Sequence, residues 1–236
     1  MEGRKSLHDR ALELYNAGDC AGAAALLENS GNADCVLLRS ICLAALGRIT
    51  EAVNGFNMVA AAAPNNLTVI YNRGLAYENA GDVDAAERDY RRSLELMPGH
   101  PGASNNLAMI MVRRHDFGAA EVVCRQALAL HPQHIELLEA LAGVLSKTLR
   151  CREAAQVYAE IVRLSPSALT FRSNMLMNLN YLEDTVPGDL FRMHREWDRE
   201  ARKLNSVAEE PGFSGADRIR VGYFSPDLRT HSVAYF

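Results

Sequence analysis

Aromatic residues are scarce in this sequence, 7% of 236 residues with a single tryptophan. Long apolar runs are missing too. None approaches the roughly 20 residues that a helix needs to cross a bilayer, and the opening MEGRKSLHDR has no apolar core of a secretory signal. No membrane role is expected. There is no excess of positive charge: 25 Lys and Arg stand against 29 Asp and Glu, a formal net charge of -4. A protein that holds nucleic acid through its phosphates is normally basic, so nucleic acid is not expected as a partner. The five cysteines, at positions 20, 35, 42, 124 and 151, are odd in number and form no C-x-x-C. No histidine lies at ligand spacing from a pair of them, and His131 and His134 straddle an expected helix end. We therefore expect no metal, no disulfide framework and no cofactor, but small buried thiols in a reducing, cytoplasmic setting. No P-loop, G-x-S-x-G, G-x-G-x-x-G or H-E-x-x-H is present.

What the sequence has is apolar bulk and small residues. It is 48% hydrophobic and 23% charged, enough for one large domain or two small ones with a real core. Alanine clusters at AGAAA (21–25) and at 60–63, as closely packed helices would require. Pro64, Pro98, Pro132 and Pro166 are spaced by 34 residues. Twelve residues before each lies an alanine: Ala52, Ala86, Ala120 and Ala154. Twelve before those lie the small residues Ser40, Gly74, Ala108 and Ala142. Eight before each proline lie Phe56, Tyr90, Cys124 and Tyr158, and three after each small residue lie Leu43, Tyr77, Met111 and Leu145.

This pattern resembles the tetratricopeptide repeat, W-x2-L-G-x2-Y, then A-x3-F, then P. The stretch 67–100 is the cleanest copy. Units 33–66, 101–134 and 135–168 share its register, and a shorter copy at 4–32 has a second helix about five residues short. The resemblance implies an all-α fold, a right-handed superhelix of antiparallel helix pairs. Gly74 and Ala86 would lie at a helix crossing where a large side chain would force the axes apart. Tyr77 and Tyr90 would fill the space beside it, and Pro98 would end the second helix. One pair cannot bury its apolar face alone, so the units must stack, which curves them around a concave face.

In this family the first helix of each unit lines the concave face. Its sixth position reads Asp9, Leu38, Asn72, Asn106, Ala140 and, one unit on, Asn174. An asparagine amide has donors and an acceptor, so Asn72, Asn106 and Asn174 form a partial ladder able to bond an extended backbone without reading its sequence. The bland reading is three solvated polar residues. The basic pairs Arg91-Arg92 and Arg113-Arg114 and the stretch from Arg192 to Lys203 are interleaved with acids, as on a solvated helix face.

Past Pro166 the repeat fades. Residues 169–204 read as two further helices, broken at Thr185-Val186-Pro187-Gly188, that serve as a linker to the C-terminal segment. Residues 205–217 read as loop. Then RIRVGYFSPDLRTHSVAYF reads as a strand and loop opening a Rossmann-like unit. NLNYLEDTVPGDLFRMHREW together with that run is similar to the junction in bacterial homologues of the protein O-linked N-acetylglucosamine transferases. Val221, Gly222, Tyr223, Ser225, Asp227 and His231 match the family's V-G-Y-x-S-x-D-x-x-x-H run. In that family a repeat superhelix precedes a GT-B region of two Rossmann-like halves, which transfers a sugar from a UDP-sugar to Ser or Thr of acceptor polypeptides.

The resemblance implies an active-site role for His231. The strand and loop at 205–236 would then be the start of a GT-B domain whose two halves need on the order of 300 further residues. On this reading the chain is a truncated enzyme that binds acceptor polypeptides, meets UDP-sugar only in the intact protein and transfers no sugar alone. The rival reading is a stand-alone scaffold or adaptor. For residues 217–236 three outcomes stay open: packing on the last helices, pairing with a second copy as a homodimer, or poor order.

Overall fold

The structure, a computed structural model, describes residues 6–204. All of its regular elements are helices: α1 (Leu7–Asn16), α2 (Cys20–Leu26), α3 (Ala33–Ala45), α4 (Ile49–Ala62), α5 (Leu67–Asn79), α6 (Val83–Leu96), α7 (Pro101–Arg113), α8 (Phe117–Leu130), α9 (Ile135–Lys147), α10 (Cys151–Leu164), α11 (Leu169–Leu179) and α12 (Pro187–Leu204). Among the described residues there is no strand, and no helix is long and apolar enough to cross a membrane. The expected strand and loop at 205–236, with His231, lie outside the described residues.

Helices α1 to α10 follow one another as five pairs, and α11 and α12 come after them. The first pair is short in its second member: α2 has 7 residues where α4, α6, α8 and α10 have 14. The prolines set the ends. The residue before each one, Ala63, Met97, His131 or Ser165, has left helical geometry at φ near -135° (-135, -137, -130 and -136). The proline ring disfavours the α region for its predecessor, so the helix closes there.

The turn within each pair follows one pattern as well. Gly18, Gly47 and Gly81 have φ of 84, 76 and 82°. The residue after two of them is an aspartate that caps the next helix: Asp19 accepts from the Gly22 N–H and Asp82 from that of Ala85. At the same place the next two units carry His115 and Leu149, each at φ 60°. These side chains occupy a left-handed conformation that glycine adopts at no steric cost.

From α1 to α11 each helix packs on the next, and in addition α1 touches α3, α3 touches α5 and α7 touches α9. Even-numbered helices make no comparable contact with one another among the described residues. The odd helices are therefore the inner layer of the stack and the even ones the outer. The core runs between the layers. Ala52, Ala86, Ala120 and Ala154 are fully buried, as are Phe56, Tyr90 and Cys124, with Tyr158 nearly so. A Cβ placed on Gly74 would lie 2.9 Å from the Tyr90 ring and 3.2 Å from the Asp89 Cβ, so the Tyr90 ring packs directly against Gly74. The cysteines are buried, apart from a half-buried Cys20, and all are free thiols.

Candidate functional site

The inner layer places Asn72, Asn106 and Asn174 on the same turn of α5, α7 and α11, each half-buried. Their amides are partly engaged. Asn72 donates to the Thr68 carbonyl one turn back at 2.7 Å. The Asn106 carbonyl oxygen accepts from the Asn105 amide at 3.4 Å, and Asn106 is a hydrogen-bonding neighbour of the Tyr71 and Tyr90 hydroxyls. Asn174 is a hydrogen-bonding neighbour of the Tyr158 hydroxyl, and its backbone carbonyl accepts from the Asn178 side-chain amide at 2.9 Å. Each amide keeps bonding capacity beyond these contacts.

Where the ladder lacks an asparagine, the inner face opens. Ala140 lines a cavity of about 380 Å³ between α7 and α9, together with Asn105, Met109, Glu139, Gly143 and Lys147, and with Tyr158 behind. A Cβ on Gly143 would meet nothing within 4 Å. A second cavity, of about 260 Å³, lies beside Asn174 and is lined by Ser146, Tyr158, Met177, Asn178 and Tyr181. Met109, Met177 and Tyr181 are 42, 59 and 68% exposed. The inner face thus combines apolar side chains held open to solvent with amides at repeat spacing.

A polar seam joins the third and fourth units behind the ladder. The Tyr90 hydroxyl donates to Glu78 at 2.9 Å, and Arg113 of α7 donates to the other Glu78 oxygen at 2.6 Å. Burial, reinforced by the Glu78 carboxylate, pushes the Tyr90 hydroxyl pKa far up. The Tyr71 ring packs 4.8 Å from that of His100, whose Nδ1 accepts from the Ala103 N–H at 3.1 Å and so caps α7. Burial lowers the His100 pKa, in keeping with the unprotonated nitrogen this cap requires. Burial also raises the pKa of Tyr71 and Tyr158.

Sequence reasoning missed a second feature. Arg73 makes a two-pronged ion pair with the buried Asp89, both bonds at 2.7 Å, and also donates to Asn57 at 3.1 Å. The signal was in the register. Positions 73 and 89 are Leu107 and Val123 one unit on, and Leu141 and Val157 two units on. One unit back the same places read Arg39 and Gly55, so a charged pair at positions that are apolar in the next two units points to a buried partner. The basic pairs do sit among acids, as expected: Arg91 bonds Glu87, Arg92 bonds Glu95, and Arg114 reaches Asp84 and Glu87 across the unit boundary. No cluster of His, Cys, Asp and Glu able to hold a metal occurs among the described residues.

The helix pairs, their 34-residue phase and the small-residue seams define the fold of a tetratricopeptide repeat protein. The family's sequence pattern matches residues 68–100, described as a tetratricopeptide repeat. Among curated proteins, the chain is 32% identical over 90 residues to a rice (Oryza sativa subsp. japonica) protein described as a probable UDP-N-acetylglucosamine–peptide N-acetylglucosaminyltransferase SPINDLY, covering 34% of this chain and 9% of that protein. It is 26% identical over 123 residues to human tetratricopeptide repeat protein 7B, covering 52% of this chain and 15% of that one. The matched stretches are thus a small part of these relatives' own length. Among solved structures, a tetratricopeptide repeat protein from Parabacteroides merdae superposes with a TM-score of 0.66 at 15% identity, covering 86% of this chain and 79% of the other. A MamA double mutant superposes with 0.67 at 18% identity, covering 75% and 98%. These likenesses establish the fold alone.

Proposed function

We propose that the inner face formed by α5, α7, α9 and α11 binds extended polypeptide, and that in the full protein it presents acceptor polypeptides to a UDP-sugar-dependent protein glycosyltransferase domain. The observation that carries this reading is the recurrence of Asn72, Asn106 and Asn174 on the same turn of three of these four inner helices, α5, α7 and α11, each with amide capacity left over. Bonding a backbone through amides tolerates many side chains, which suits an enzyme region that serves many acceptors. The resemblance of the tail to a transferase junction and the similarity to the plant transferase support the enzymatic half.

On this reading the chain binds acceptors but transfers no sugar by itself, His231 being one residue of a larger site. Incubation with UDP-N-acetylglucosamine and a Ser/Thr-rich polypeptide is expected to leave the acceptor unmodified by mass spectrometry; turnover above background would refute it. The binding half is tested by anisotropy with a labelled unstructured polypeptide. Asn72→Ala with Asn106→Ala should weaken binding while far-UV circular dichroism stays unchanged. Equal affinity would reduce the ladder to three solvated side chains.

A scaffold or adaptor is the second reading. It is favoured by the similarity to tetratricopeptide repeat protein 7B, which covers more of this chain than the match to the plant transferase does. It predicts capture of one tight partner, with no dependence on Ser or Thr in the bound segment.

A further inference from the structure

The cavity between α7 and α9 is lined by side chains of both charges, whereas the ladder on either side of it offers amides. Glu139, Gly143 and Lys147 succeed one another at four-residue steps along α9 and all three line this cavity. At a rise of 1.5 Å per residue, successive members of the row are about 6 Å apart. In an extended peptide, side chains on the same face recur every two residues, at about 6.6 Å. The row and a peptide laid along it are therefore commensurate over three side chains.

The chemistry of the row is acid, open floor, base. Glu139 and Lys147 are exposed, and neither has a hydrogen-bond or ion-pair partner among the described residues. The cation in the equivalent row of α7, Arg113, is held by Glu78. Gly143 leaves open space where a side chain would stand, and the half-exposed Met109 and Val112 of α7 form an apolar wall opposite.

We propose that this slot selects, within the polypeptides the inner face binds, a five-residue segment with a medium-sized apolar side chain at its centre, a basic residue two places to one side and an acidic residue two places to the other. The apolar side chain enters over Gly143, the cation meets Glu139 and the carboxylate meets Lys147. The proposal rests on the polypeptide-binding reading of the inner face and adds a sequence preference to it. Burying a methionine-sized side chain is worth roughly tenfold to a hundredfold in affinity. The two rim charges contribute less strength than choice between partners.

The test uses fluorescein-labelled peptides in Gly-Ser flanks with the cores Lys-Ala-Met-Ala-Glu and Glu-Ala-Met-Ala-Lys. Controls have two like charges, or Gly in place of Met. One of the two mixed-charge orders should bind the whole chain best, at least about tenfold tighter than its Gly-centred control. Gly143→Phe should fill the slot and abolish that advantage, whereas Gly143→Ala should keep it. Both replace a poor helix former in a helix interior, so the fold should hold. The combined change Glu139→Lys and Lys147→Glu should invert the preferred order.

Equal binding of all cores, retained preference in folded Gly143→Phe, or no inversion would overturn the proposal. If all cores bind alike and Asn72→Ala with Asn106→Ala weakens every one, the inner-face reading survives and only the slot is refuted. If no peptide binds, both fall. Self-association that Gly143→Phe abolishes would put a second copy in the slot and likewise overturn it.

Discussion

The ring of Tyr90 lies directly over Gly74, so close that a single added methyl on α5 would sit 2.9 Å from its Cε1 atom. Tyr90 has nowhere to retreat, being fully buried and tied by its hydroxyl to Glu78 at 2.9 Å. Alanine at 74 improves helix propensity by about 1 kcal/mol, but overpacking costs about 1–3 kcal/mol. Gly74→Ala is therefore expected to lower stability by about 1 kcal/mol, whereas Gly143→Ala, with nothing within 4 Å of its new methyl, should raise it. Urea denaturation of the two variants checks the contrast, and equal shifts would refute it.

The Arg73–Asp89 pair should behave as a buried ion pair. Side-chain exposure is 23% for Arg73 and 8% for Asp89. Asp89→Ala leaves a guanidinium stranded at the layer boundary and is expected to cost about 3 kcal/mol. The register supplies the remedy. Arg73→Leu with Asp89→Val installs the residues found at 107 and 123 and should restore stability to within about 1 kcal/mol of the parent. A double variant as unstable as the single one would show that the pair itself, not its desolvation, holds α5 to α6.

His115 and Leu149 carry backbone strain that their counterparts Gly47 and Gly81 avoid, both standing at φ 60°. Leu149 is also 83% exposed, so it contributes little packing in return. Leu149→Gly is expected to raise the midpoint of thermal unfolding, by an amount equivalent to about 1 kcal/mol, with His115→Gly acting in the same direction. A lowered midpoint for Leu149→Gly would contradict this.

Alkali should unfold the protein earlier than its surface charges alone would dictate. Burial pushes the Cys42 thiol from 9.0 up to about 11, helped by the neighbouring Cys20, and burial pushes Cys124 up to about 12. Tyr71, Tyr90 and Tyr158 are raised for the same first reason. These groups hold their protons more tightly folded than unfolded. Their contribution is thus fully present below the unfolded thiol value and is lost as pH climbs through 9.0 towards the folded values of about 11 and 12. The urea midpoint should hold up to about pH 9 and fall above it. In Cys42→Ala with Cys124→Ala the fall should be shallower. An unchanged slope would assign it to the tyrosines.

The stack was legible because its determinants are local and repeat in phase. Each proline ends a helix through its own ring, and each small residue at a seam fails or succeeds by its own volume, so positions 64, 74, 86 and 98 each carry their meaning alone. What the sequence did not yield are relations between units. The Glu78–Arg113 bridge spans 35 residues and joins the third unit to the fourth. The slot at Gly143 arises because one residue of α9 is small while Met109 on α7 stays exposed. A single unit's sequence holds neither fact. The ladder was readable as a spacing, but that Asn72 spends a donor on Thr68 was not. The expectation for His231 falls outside the described residues.

The central claim is that polypeptide lies against the inner helices. A photo-crosslinking residue at position 109 on α7, 42% exposed on the inner face, and another at position 122 on α8, 53% exposed on an outer helix, test it directly with one bound unstructured polypeptide. Crosslinking at 109 and none at 122 is the predicted result. Crosslinking at 122 with none at 109 would place the ligand on the outer layer and contradict the account.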